Sequence, residues 1–273
     1  MAPDVTLDEC DIEAYERDGV VKLSGLFAPA WLERLAAAVD EAILHPGPHG
    51  ERYTAAGRPG GFFGDLDLWT RHAAFRAFVL ESPAAAIAGR AMRATRVNFF
   101  YDQLLVKEPG TEERTPWHQD QPYWAVAGRQ VCSVWLTLDP VARENGVEFV
   151  RGSHRWEREY LPRHFKDGTP YDRPGLAPLP DIEAARADYP IVAFDMAPGD
   201  CLVFQAMIVH GAPGNASTRH RRRALSTRWT GDDARYRMRD GETAIPTSDP
   251  GLEDGAPMDC ALFPRVWERP REA

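Results

Sequence analysis

The stretch Pro116-Trp117-His118-Gln119-Asp120-Gln121-Pro122-Tyr123-Trp124 decides the reading of this 273-residue chain. In extended backbone, residues i and i+2 point to the same face. His118 and Asp120 therefore present an imidazole and a carboxylate side by side, in reach of adjacent positions on one metal ion. A second imidazole completes a two-histidine, one-carboxylate face that leaves coordination positions open, as oxygen chemistry requires. A His-x-Asp triplet alone is common by chance and fits a surface turn equally well. The sequence around it has to carry the decision.

Outward from this stretch the texture is β. Residues 97–106, 131–138, 147–150, 191–194, 201–205 and 222–230 are rich in Val, Phe, Leu and Trp and are bounded by Gly, Pro and Asp. Many short strands without intervening helices predict an antiparallel barrel or jelly roll. The upstream third reads as helical: Leu32, Leu35, Val39 and Ile43 recur at helical spacing behind Pro29. A shorter amphipathic piece at 11–19 precedes an apolar strand candidate at 20–23, and further helices are expected at about 69–80 and 83–92. Residues 47–64 read as a long loop. The Pro-rich segment 160–190 is too long for a hairpin and is expected to be a lid or a partly helical insertion. With no repeat or linker, residues 1–273 are expected to form a single domain, with 1–96 as mainly helical support for a β core over 97–273. The fold class is mainly β with N-terminal helices.

Composition narrows the function. The chain is 44% hydrophobic, 27% charged and 10% aromatic, within the range of globular proteins, so no disulfide or structural metal is needed for a core. A net charge of −9, from 32 basic and 41 acidic residues, weighs against a nucleic-acid partner. Cys10, Cys132, Cys201 and Cys260 are widely spaced, which argues against a zinc knuckle or disulfide framework. The sequence offers no apolar leader, no membrane-length apolar run and, in its terminal Arg-Glu-Ala, no peroxisomal address. A cytoplasmic protein is the expectation; the oligomeric state is not legible.

Among eight histidines, His210 is the candidate third ligand. It closely follows the apolar strand candidate at 201–205, which is entered through Pro198-Gly199-Asp200, and is itself followed by Gly211. A polar residue at the rim of a buried strand suits a ligand, although a hydrogen-bonded core histidine fits as well. His45 and His49 sit in Pro/Gly turns, His72 in the helical third, His154 after a strand where it suits a loop cap, His164 in the lid and His220 in an arginine run.

Taken together and in order, the motifs resemble the phytanoyl-CoA dioxygenase family of Fe(II)/2-oxoglutarate-dependent oxygenases. They are Tyr15-Glu16-Arg17-Asp18-Gly19-Val20, His118-Gln119-Asp120, Val134-Trp135-Leu136-Thr137-Leu138-Asp139, Glu144-Asn145-Gly146, Arg151-Gly152-Ser153-His154, Pro198-Gly199-Asp200, His210-Gly211-Ala212 and Arg222-Arg223-Ala224-Leu225-Ser226. The resemblance implies a double-stranded β-helix (jelly-roll, cupin-like) and Fe(II) held by His118, Asp120 and His210. It implies 2-oxoglutarate as cosubstrate with O2, and release of succinate and CO2 as an unactivated C–H is hydroxylated. Asp120 stands where related halogenases lack a carboxylate, which favours hydroxylation; desaturation, cyclisation and epimerisation remain open. The family pattern places the arginine for the distal carboxylate of 2-oxoglutarate at Arg222, with Arg221 as the alternative because the spacing from His210 is one residue longer. Gln103 and Trp135 match cosubstrate-lining positions.

Substrate contacts are expected from loops on the rigid barrel: the 58–63 loop, Tyr123, Trp124 and the 160–190 lid. Phe62, Phe63 and Trp124 are candidate apolar walls, and Arg58 or Arg228 a candidate anchor for an anionic group. The absence of a basic patch for a nucleotide favours a small metabolite over a coenzyme A ester. Two other classes remain compatible with the residues. One is a cupin-like metal-dependent hydrolase or isomerase that has no use for Arg222. The other is a non-catalytic jelly-roll binding protein in which the His-x-Asp is incidental.

Overall fold

The computed structural model describes residues 3–270; the terminal Arg271-Glu272-Ala273, read above for an address, lies outside the described residues. The chain begins α1 (Glu9–Asp18), β1 (Val20–Leu23), α2 (Pro29–Leu44), β2 (Glu51–Arg52), β3 (Phe62–Leu66), α3 (Ala73–Glu81) and α4 (Ala84–Ala91). It continues through β4 (Arg96–Lys107), β5 (Thr115–His118), β6 (Val126–Ala127), β7 (Val131–Thr137), β8 (Glu148–Val150) and β9 (Ile191–Val192). The last strands are β10 (Cys201–Gln205), β11 (His210–Ala212), β12 (Arg222–Thr230), β13 (Arg235–Tyr236) and β14 (Arg265–Glu268).

Two antiparallel sheets make the β-helix. The larger runs β1-β10-β7-β12-β4-β3-β2 with β14 added against β4; the smaller runs β5-β11-β8-β9. Strand periodicity explains how the larger sheet serves two cores at once. On β10, Cys201 and Val203 join the helices in the outer core, while Leu202 and Phe204 pack with Phe149 of β8 and Trp135 of β7 between the sheets. A strand buried on both faces reads as an unbroken apolar run, as 201–205 does.

The helical third is less purely helical than expected. The 47–64 loop contains β2 and most of β3, and β3 pairs along β4 with Phe62 opposite Lys107 and Leu66 opposite Gln103. Two glycines and a proline just before Phe62 masked a strand of only five residues. The 69–80 helix is split into a 3₁₀ turn (Leu68–Thr70) and α3. The lid is extended and irregular, with a single 3₁₀ turn at Arg186–Asp188 among the described residues, so the partly helical expectation is corrected. Its six prolines at 162–190 remove backbone donors throughout. Among the described residues no helix is long and apolar enough to cross a membrane.

Helix α4 packs against β4 and β14 through a run of small residues. A Cβ at Gly89 would overlap the Trp267 ring. In an exposed helix Gly→Ala gains about 1 kcal/mol, but here overpacking outweighs that gain. Gly89→Ala is expected to lower stability by about 1–3 kcal/mol, measured as a lower urea midpoint with unchanged slope.

Candidate metal centre and its cavity

Strand pairing assembles the centre. β11 pairs antiparallel with β5, and His210 lies directly opposite His118. Gly211 permits this close approach, since a Cβ there would stand 3.2 Å from the Thr115 carbonyl oxygen. The two imidazole centroids are 4.2 Å apart. Asp120 follows β5 as the chain turns into a 3₁₀ segment, and its backbone N–H donates to the Ala206 carbonyl. One ligand atom from each of His118, Asp120 and His210 lies within 4.8 Å of the others, and all three residues are buried.

The hydrogen bonds aim the lone pairs. His118 Nδ1 is 2.8 Å from the Pro116 carbonyl oxygen and His210 Nδ1 is 3.1 Å from that of Ile208. A ring that donates from Nδ1 leaves Nε2 as the acceptor, which is how metal-binding histidines are commonly oriented. Both Nε2 atoms face Asp120 Oδ1, at 3.4 Å and 3.8 Å. Burial and the neighbouring His118 push the His210 imidazole down to about 4, so it is neutral at physiological pH. Burial pulls the Asp120 carboxyl upward, but His210, His118 and Arg228 outweigh it and hold the group well below the usual carboxylate range. A carboxylate and two neutral imidazoles with converging free electron pairs suit a divalent first-row transition metal.

A cavity of about 420 Å³ opens from the centre. Its β walls carry Gln103, Trp135, Arg222 and Arg228, all anticipated. Arg228 donates to Gln103 Oε1 at 2.8 Å and to the Ser226 carbonyl at 2.9 Å, and its guanidinium lies 4.0 Å from Asp120 Oδ2. Its carbon centre sits 4.7 Å over the Tyr101 ring. Arg222 is buried and donates to the Asn145 carbonyl, with no acidic partner among the described residues. Burial alone pushes its guanidinium down to about 10. Arg221 points away, pairing with Asp40 at 2.7 Å and Glu108 at 2.8 Å, and Arg223 pairs with Asp139 at 2.8 Å. Strand alternation sorts the run as Arg222 in, Arg221 and Arg223 out.

Tyr123, Trp124 and Phe62 line the cavity. Phe63 does not: one residue further along β3 it faces the outer core. Arg58 is also excluded, being exposed and paired with Glu112 at 2.9 Å. His154 stays remote, its Nε2 against the Glu16 carbonyl at 3.1 Å. The sequence reading missed Tyr53, Phe165 and Tyr171. Phe165 reaches down from the lid to stand edge-on to the His118 ring at 4.7 Å. Tyr123 holds the lid there, its hydroxyl bonded to the Arg163 carbonyl at 2.8 Å and accepting from the Arg163 N–H at 2.9 Å. Arg239 was missed as well. Its buried guanidinium donates to the carbonyls of Gln121, Trp124 and Val126 and pairs with Glu159 at 2.7 Å, pinning the turn behind Asp120. None of these carries a periodic signal, because each comes from irregular chain.

The two orphaned polar atoms on the inner face of β12, Ser226 Oγ and Arg228 Nε, together with the unpaired Arg222, fit a small polar anion near the metal. The family model described as phytanoyl-CoA dioxygenase (PhyH) matches residues 15–224. Dioxygenase FrzG of Cladobotryum sp is 25% identical over 239 residues, which is 80% of this chain and 72% of that protein. The crystal structure of SnoK, a non-heme alpha ketoglutarate dependent carbocyclase from nogalamycin biosynthesis, aligns with a TM-score of 0.75. Its identity is 23%, over 97% of this chain and 100% of that one. The epimerase SnoN, in complex with Fe3+, alpha ketoglutarate and nogalamycin RO, aligns at 0.71 and 21% identity over 95% and 98%. These structural likenesses establish the double-stranded β-helix fold.

The geometry makes a direct prediction for metal binding. Titration with Mn(II) is expected to show one site per chain. Asp120→Ala and His210→Ala are each expected to weaken it by more than the roughly 10–100-fold that loss of an outer hydrogen bond costs.

Proposed function

This chain belongs to the phytanoyl-CoA dioxygenase family, and from that premise we propose that it hydroxylates an unactivated C–H bond of a small, largely apolar metabolite. The reaction class is that of an Fe(II)- and 2-oxoglutarate-dependent dioxygenase, consuming O2 and releasing succinate and CO2. One observation carries the reading: a buried guanidinium without an acidic partner among the described residues, Arg222, lines the same cavity as the three converging metal ligands. A hydrolase or isomerase of similar fold has no need of that cation, and a binding module has no need of the ligands. Arg221, committed to two carboxylates, is the poorer candidate for the role.

His118, Asp120 and His210 would hold the iron, which when bound with 2-oxoglutarate and O2 supplies an oxidant able to cleave an aliphatic C–H bond. The protein's own part is placement. Arg222 takes the distal carboxylate, for which a guanidinium offers paired donors. Gln103, oriented by Arg228, and Trp135 flank the cosubstrate. Arg228 also keeps Asp120 ionised and so available as a ligand. Phe62, Tyr123, Trp124 and Phe165 form apolar walls that exclude water and suit a flat, mostly hydrocarbon substrate. A carbocyclase and an epimerase among the structural neighbours make natural-product intermediates the first class to screen. We take the whole chain as one catalytic domain. Its four unpaired cysteines agree with a reducing cytoplasm, and its acidic balance argues against nucleic acid.

Two outcomes test this reading. Anaerobic addition of Fe(II) and 2-oxoglutarate is expected to give the weak visible charge-transfer band of an iron chelate, lost in Arg222→Ala at the same cosubstrate concentration. Metal binding without any band in the unaltered protein would point to the hydrolase instead. Once a metabolite screen for stimulated succinate release supplies a substrate, Phe165→Ala is expected to raise its KM roughly tenfold or more, from loss of about 1.5–3 kcal/mol of buried side-chain contact. Metal affinity is expected to be unchanged in that variant.

A further inference from the structure

Lys107 is an unusual lysine. It ends β4 with its side chain turned inward, in line with Gln103 and Leu105, and lines the metal-site cavity. It is 1% exposed, a burial that lysine almost never reaches without a charge partner. Its Nζ donates to the carbonyl oxygens of Glu113 at 2.8 Å and Pro213 at 2.9 Å, and lies 4.5 Å over the Phe62 ring. An ammonium has three donors, and the third meets no oxygen among the described residues.

Directly across the β4–β12 ladder from Lys107 stands Arg222. Like charges opposed on one face of a sheet are destabilising, and neither cation forms an ion pair among the described residues. Unpaired, these two buried groups cannot both hold a charge cheaply in one cavity, and an anion between them would compensate both.

We propose that Lys107 is a second binding group for the distal carboxylate of 2-oxoglutarate, sharing it with Arg222. The proposal rests on the cosubstrate reading above and adds to it a residue and a proton. Burial, aided by Arg222 and Arg114 and opposed by Glu113, pushes the Lys107 ammonium down to about 6. The free site is therefore largely neutral at Lys107 above that pH, and an arriving carboxylate draws a proton onto it. Because the complex holds more protons than the free protein, affinity for 2-oxoglutarate falls as pH rises above about 6.

The test is anaerobic calorimetry of the Fe(II)-loaded protein with 2-oxoglutarate, in buffers of different ionisation enthalpy at pH 7.5. Pyruvate, a 2-oxo acid without the distal carboxylate, is the second ligand. The unaltered protein is expected to take up a substantial fraction of one proton per 2-oxoglutarate and none with pyruvate. Lys107→Met is expected to lose that uptake and to bind 2-oxoglutarate on the order of 10- to 100-fold more weakly, with pyruvate affinity unchanged. Unchanged 2-oxoglutarate affinity in Lys107→Met overturns the proposal. So does an equal loss for both ligands, which would mean that Lys107 only braces the Glu113 and Pro213 backbone. Failure of the unaltered protein to bind 2-oxoglutarate at all is a different result, and it overturns the cosubstrate reading beneath.

Discussion

Pairing of β11 with β5 sets His210 opposite His118 and brings two imidazoles to within 4.2 Å. The contact is made by two short strands, four (β5) and three (β11) residues long. Such strands have little pairing energy of their own and depend on the larger sheet behind them. The helices on the outer face and the packing between the sheets hold that larger sheet in shape, so the outer core stabilises the metal site at one remove. A slip of one residue in this register would turn one imidazole away from the other.

The second constraint is electrostatic. Arg222, Arg228, Arg239 and Lys107 are all buried around or behind the cavity; among the described residues Arg239 pairs with Glu159 at 2.7 Å and Arg228 lies 4.0 Å from Asp120, while Arg222 and Lys107 have no carboxylate partner. Backbone carbonyls serve the rest: Asn145 for Arg222, Ser226 for Arg228, and Glu113 with Pro213 for Lys107. Neutral acceptors take some of these donors without cancelling the charge, and leave Arg228 Nε and one Lys107 donor free among the described residues. The cavity therefore carries a positive charge at Arg222, a lysine beside it that an arriving anion would protonate, and a carboxylate, Asp120, at the centre, in a protein whose net charge is −9.

Much of this was legible in the amino-acid order. Six β runs were read within a few residues of β4, β7, β8, β9, β10 and β12, because alternation and apolar content survive in strands of ordinary length. The reading set His118 beside Asp120 as it expected, although a turn after β5 and not extended backbone brings them together; two-residue periodicity did sort Arg222 from Arg221 and Arg223 once the strand was placed. The same rule shows where the reading erred. Without recognition of β3, Phe62 and Phe63 appeared equivalent, whereas a strand sends them to opposite sides.

What the sequence by itself determined is the set of local patterns: strands, helices, and the chemical types able to bind a metal and an anion. Tertiary structure alone decided that His210, ninety-two positions from His118 in the chain, lies across a strand pair from it. It also decided that Phe165 of an irregular segment leans on the His118 ring and that Lys107 confronts Arg222 with no counter-charge among the described residues. Local order is governed by neighbours along the chain, each acting through backbone geometry over a few residues. These encounters depend on which sheet edges meet after collapse, and no short-range pattern encodes that.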